Sequence, residues 1–225
     1  MTRSASARTA GFTFLLYIAA VLGNAVLLGR AAQGQGIVAQ LASIGQHATE
    51  VRIAVVLGLL TGFAALVLGV TLYAITREQD AELALLALIC RVCEGVLIGL
   101  FIPGVLGRLW LATSGIGASD SEATQLVGAF LMQAGTWNPS AIFFAVGSTL
   151  FSWLLLQGRI VPAALGWLGV LASALLAVGQ PLQLAGVIGA VDAALLVLPV
   201  LVFEVMLALW LLIKGVASPV LTQPA

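Results

Sequence analysis

The sequence predicts an all-α polytopic membrane protein, six transmembrane helices with two short outer amphipathic helices, and three observations carry that expectation. Hydrophobic residues make up 61% of the chain and charged residues only 8%, where a soluble domain carries about 25% charged. Several apolar runs reach or approach the ~20 residues that cross a hydrocarbon core of ~30 Å. Two further segments are too polar to span but keep a helical period. No linker or low-complexity stretch separates halves, so residues 1–225 read as a single six-span transmembrane domain. The net charge is zero and the arginines are scattered singly. That pattern argues against nucleic acid and leaves the lipid bilayer as the expected partner.

The spans follow in order. The first runs from about Ala10 to Gly29, the second from about Arg52 to Ile75, and the third from about Leu83 to Leu106. The fourth covers about Ser140 to Leu156, the fifth Val161 to Val178, and the sixth Asp192 to Ile213. Between spans one and two, Ile37, Leu41 and Ile44 recur at i, i+4, i+7 in a polar background, the spacing of a short amphipathic helix. Between spans three and four, Ser119 and Glu122 form a capping-box pattern. The helix it opens has Ala123, Leu126, Val127, Phe130, Leu131 and Ala134 on one face. Asn138-Pro139 should end it, because the residue before a proline disfavours helix.

Arginine placement gives the orientation. With the N-terminus inside, the inner segments hold Arg3, Arg8, Arg77, Arg159 and Lys214, and the outer segments hold Arg30, Arg52 and Arg108. The excess on the inner side predicts both termini in the cytoplasm. Arg3 and Arg8 before an apolar core resemble a signal peptide, but the core is long and no small-x-small cleavage site follows, so it reads as a retained span. Trp110, Trp137, Trp153, Trp167 and Trp210 fall largely near expected span ends, as an aromatic belt requires.

Lipid offers no hydrophobic drive for helix association, so small residues that let backbones approach must supply much of it. Gly58 and Gly62, continued by Ala65 and Gly69, make such a stripe in span two; Gly95 and Gly99 make another in span three, on the face that carries Arg91. Tight packing within one chain is the simpler reading. A seam in a homo-oligomer, or with another membrane protein, is the other.

Three ionisable residues lie deep inside apolar runs: Arg91 and Glu94 in span three, Glu204 in span six. Arg91 should sit about 12 Å from the inner end of its span, Glu94 about 16 Å and Glu204 about 13 Å. Each charge at such depth costs about 2.5–3.5 kcal/mol on insertion scales, so the three are expected to meet in one buried polar site. One arginine against two glutamates leaves a negative charge over, which a proton, a cation or a polar ligand would balance. A structural ion pair that fixes helix register is the competing reading.

Other motifs point nowhere chemical. Cys90-x-x-Cys93 lies within a span, without a second pair or a nearby histidine, and reads as two small apolar residues. His47 is the one histidine, which excludes bis-histidine haem and a histidine-cluster zinc site, and it reads as a solvated side chain. Asn24 is a lone polar group expected to bond a neighbouring helix. No metal and no cofactor is expected. No catalytic residue is assigned, because the spans hold no nucleophile–base set.

Cys90-Arg91-Val92-Cys93-Glu94-Gly95 resembles the R-x-x-E helix of the DUF4386 family of bacterial integral membrane proteins. Phe144 to Gly147, Leu150 to Trp153, and Arg159-Ile160-Val161-Pro162 are similar to its fourth-span and proline-loop signature. Leu198-Pro199, Glu204 and Leu209 to Gly215 resemble its E…W-L-x-x-K-G ending, and Arg8-Thr9-Ala10-Gly11 its start. Ala163 departs from the arginine that relatives often carry after the proline. The resemblance implies a six-span bundle in a bacterial cytoplasmic (inner) membrane and brings no established activity. It places Arg91, Glu94, Glu204 and Lys214 in recurring motifs. Two functions then compete: a small proton-linked carrier using the buried polar site, and a non-catalytic membrane subunit or regulator in which the same residues form structural ion pairs. An intramembrane enzyme ranks below both.

Overall fold

Inside a bilayer no water satisfies backbone polar groups, so an apolar segment crosses by bonding to itself as a helix. The computed structural model describes residues 2–114, 122–134, 138–189 and 195–216. Within them are eight helices and no strand: α1 (Arg3–Ala31), α2 (Ile37–Gln46), α3 (Ala48–Thr76), α4 (Ala81–Thr113), α5 (Glu122–Ala134), α6 (Ser140–Gln157), α7 (Ala163–Leu184) and α8 (Val197–Ile213). Five of them, α1, α3, α4, α6 and α7, are long and apolar enough to cross a membrane. Helix α8 is apolar apart from Glu204 and 17 residues long, or about 26 Å. Asp192, the expected start of the sixth span, lies outside the described residues, as do Ser119 of the capping box and Trp137 of the aromatic belt.

Helix ends trace to particular side chains. Asp80 caps α4: its Oδ1 accepts the N–H groups of Glu82 at 3.1 Å and Leu83 at 2.9 Å. Asn138 opens α6 in the same way, accepting the Ser140 N–H at 3.1 Å and the Ser140 hydroxyl at 2.6 Å. Asn138-Pro139 therefore stands at the start of the next helix, and α5 is described as far as Ala134. Prolines sit inside two long helices, Pro103 in α4 and Pro181 in α7, and neither ends its helix. Each removes one backbone donor.

The chain forms two compact units. The first comprises Met1–Leu15, Val67–Arg91 and Phe144–Ala225; the second comprises Leu16–Leu66 and Val92–Phe143. In the first, α7 packs along α8. Ala145, Ala172, Leu176 and Val200 form an apolar core there, and Trp153 meets Trp167 edge to face at 6.4 Å. In the second, the end of α4 runs on past the expected span. At 33 residues, α4 is about 50 Å long against a hydrocarbon core of ~30 Å. Its Leu109 packs with Ala31, Ile44 and Val51, so α2 lies over the ends of three long helices.

Helix α5 also belongs to the second unit, but its docked face is not its apolar one. Thr124 and Gly128 are buried, whereas Leu126 is 72% and Phe130 69% exposed. Gly128 explains this: a Cβ there would lie 2.5 Å from Ile37 of α2. The face without side-chain bulk lets the two helices close, and the bulky apolar face stays outward, where a lipid interface suits it.

Candidate functional site

Among the described residues Arg91 is the largest fully buried side chain, 1% exposed on α4. Two glycines of the first unit make its place. A Cβ at Gly69 of α3 would lie 3.0 Å from Arg91 Cβ. One at Gly147 of α6 would lie 3.0 Å from Cys90 Cβ and 3.5 Å from Arg91 Cδ. With both helices drawn in around the stem, the guanidinium carbon comes to 5.2 Å from the centroid of the Phe144 ring. A desolvated cation over an aromatic face gains about 2 kcal/mol or more.

Arg91 and Glu204 line the same small cavity. Glu204 reaches it from α8 and is 4% exposed. Ser148 and Ser152 of α6 add two hydroxyls, and Phe14, Phe151 and Phe203 supply apolar wall. On α6, residues 144, 148, 151, 152 and 155 recur at helical spacing, so one face carries both the aromatic partner of Arg91 and the serines. Helix α7 contributes an absence of bulk: a Cβ at Gly169 would overlap the Phe203 ring and lie 2.6 Å from Ser152 Oγ. The space between these residues, about 10 Å³, has room for roughly one water. Such a site has the groups to hold a proton or a water.

Glu94 belongs to the second unit. It is 1% exposed, and Tyr17 of α1 donates its hydroxyl to Glu94 Oε1 at 2.7 Å. The same unit brings two glycines of α3 and α4 together backbone to backbone. A Cβ on Gly95 would lie 2.8 Å from the Gly62 carbonyl oxygen, and one on Gly62 would lie 3.1 Å from that of Gly95. Gly58 faces the Asn24 side chain at 3.6 Å, and a Cβ on Gly99 would meet nothing within 4 Å. Asn24 donates to the Ala54 carbonyl at 2.7 Å, the interhelical bond expected of it. His47 stands at the end of α2, with Nδ1 2.9 Å from the Ser43 carbonyl oxygen.

Tyr17, Ser148 and Phe203 were not singled out from the sequence, and Phe144 and Ser152 stood there only within a family motif, with no role assigned. A signal existed for the serines: two hydroxyls at i, i+4 within an apolar span mark a polar stripe. Nothing local marks Tyr17 or Phe203, because aromatic residues in a span are ordinary.

Long apolar helices with ionisable side chains enclosed among them define a membrane-embedded helical protein. Within that class, the chain belongs to the family described as Domain of unknown function (DUF4386), whose model matches residues 9–215. The match takes in Arg91, Glu94 and Glu204. No curated protein and no solved structure gives a match.

Proposed function

We propose that this protein is a small proton-linked carrier of a bacterial inner membrane, in which Glu204 takes up and releases the proton and Arg91 sets the charge balance. In this reading α8, with the residues before it, completes a sixth crossing, and both termini are cytoplasmic. The observation that carries the proposal is the cavity shared by Arg91 and Glu204. A buried carboxyl beside a cation, two hydroxyls and room for a water has the parts of a proton-exchanging site, since ionisable groups at membrane depth usually serve a purpose. Glu94 is the second carboxyl of the proposal, one helical turn from Arg91 on α4.

A second reading has support of its own. The glycine-lined fit around Arg91 and the Phe144 ring under its guanidinium suit a fixed structural cation in a non-catalytic membrane subunit or regulator.

Infrared spectroscopy of the reconstituted protein separates the two. If Glu204 exchanges protons with water, a protonated-carboxyl band should respond to bulk pH in wild type and be missing in Glu204→Gln. A carboxyl spectrum of Glu204 that ignores pH while the protein stays folded would leave the structural reading.

A further inference from the structure

One end of the first unit gathers cations. Arg3, at the start of α1, donates to the Ile75 carbonyl at 3.0 Å and to Glu78 at 2.8 Å, which sets it against the end of α3. Gly158, at the end of α6, meets Gln79 of the α3–α4 turn, where a Cβ would lie 2.6 Å from the Gln79 side chain. Gly11 of α1 meets Leu212 of α8 at 2.8 Å in the same sense. The start of α1, the α3–α4 turn, the α6–α7 turn and the end of α8 are thus one surface. It carries Arg3, Arg8, Arg77, Arg159 and Lys214 against Glu78, Asp80 and Glu82, a net charge of +2 from five cations and three anions.

Two of the three acids are already engaged, Glu78 by Arg3 and Asp80 by the N-terminus of α4. Among the described residues, no carboxylate stands within salt-bridge distance of Arg8, Arg77, Arg159 or Lys214. All four side chains are exposed.

Arg159 is set apart by its backbone. Helix α6 ends with Ile160 N–H bonding the Leu155 carbonyl at 3.0 Å and Arg159 N–H bonding that of Leu156 at 3.0 Å. That pattern requires a left-handed residue at position 159, and Arg159 has φ of +49°. Helix α7 ends in the same pattern through Val187 and Gly186, and there the left-handed residue is glycine, with φ of +73°. Arginine pays a steric cost at a position that glycine takes without one.

We propose that this surface binds the headgroup of an anionic phospholipid, with Arg159 as the cation presented at the α6–α7 turn. An anionic leaflet attracts basic residues held at its surface, and arginine grips phosphate through two parallel N–H bonds. The competing explanation is that cations beside the C-terminal ends of α3, α6 and α8 only offset helix dipoles. That role would not depend on the lipid.

The experiment compares wild type, Arg159→Gly and Arg159→Lys by thermal unfolding. The samples are nanodiscs of phosphatidylcholine alone, the same discs with phosphatidylglycerol, and phosphatidylcholine discs with inorganic phosphate. Wild type should melt higher with phosphatidylglycerol. Arg159→Gly should melt higher than wild type in the neutral discs, since the backbone cost is gone, yet lose about 2–4 °C of the lipid-dependent rise. Arg159→Lys, which keeps the charge but not the two-pronged contact, should retain part of that rise. Equal lipid-dependent rises in wild type and Arg159→Gly would overturn the proposal. So would a rise in wild type given equally by inorganic phosphate.

Discussion

Tyr17 donates its phenolic proton to Glu94 Oε1 across 2.7 Å, and both side chains are buried. The strength of that bond reports the charge on Glu94. Interhelical hydrogen bonds in membrane proteins average about 0.6 kcal/mol, whereas bonds to charged groups contribute about 1.5–3 kcal/mol. A double-mutant cycle of Tyr17→Phe and Glu94→Gln, read by unfolding in mixed detergent micelles, should give a coupling of at least about 0.5 kcal/mol. A coupling above about 1.5 kcal/mol would mark a carboxylate. Additive effects would mean that the bond contributes nothing to stability.

Two neighbouring glycines of α4 should respond oppositely to the same methyl group. Gly95→Ala drives a Cβ to 2.8 Å from the Gly62 carbonyl, a backbone atom that cannot rotate away. Overpacking of this kind costs about 1–3 kcal/mol. Gly99→Ala places its Cβ in open space and should be neutral or stabilising by up to about 1 kcal/mol, from helix propensity alone. Unfolding midpoints of the two variants should therefore move apart. If Gly95→Ala is as well tolerated as Gly99→Ala, the two helices do not rely on that contact.

Arg91→Leu should sharply reduce folded protein in the membrane. The substitution leaves Glu204 lining the cavity without the guanidinium and removes the cation from Phe144. Breaking a buried charge arrangement costs about 3–5 kcal/mol. Arg91→Lys should recover only part of the loss, since a compact ammonium cannot reproduce the planar guanidinium over the ring. Size-exclusion profiles from solubilised membranes read both variants. A normal profile for Arg91→Leu would show that Arg91 is dispensable for folding.

Much of this was legible before any fold was known. Five of the expected spans appear as long apolar helices, because hydropathy and length alone decide which segments lipid can solvate. The family was legible from short motifs scattered along the chain. Arg91, Glu94 and Glu204 drew attention through the cost of charge in an apolar run, which needs no partner to be noticed. Their surroundings were not legible. Tyr17 lies 77 residues from Glu94, and nothing in either segment announces the other.

The sequence by itself determined the class of protein, the helical segments and which ionisable groups lie deep within them, since these follow from composition and from the local cost of unpaired backbone. The tertiary structure alone decided who meets whom. It placed Glu204 with Arg91 and two serines around one water-sized space, gave Glu94 to Tyr17, and turned α5 so that Gly128 rather than Phe130 packs inward. The physical reason is that burial on a lipid-solvated helix is not driven by hydrophobicity: small residues choose the contacts, and that choice depends on the shape of the facing helix.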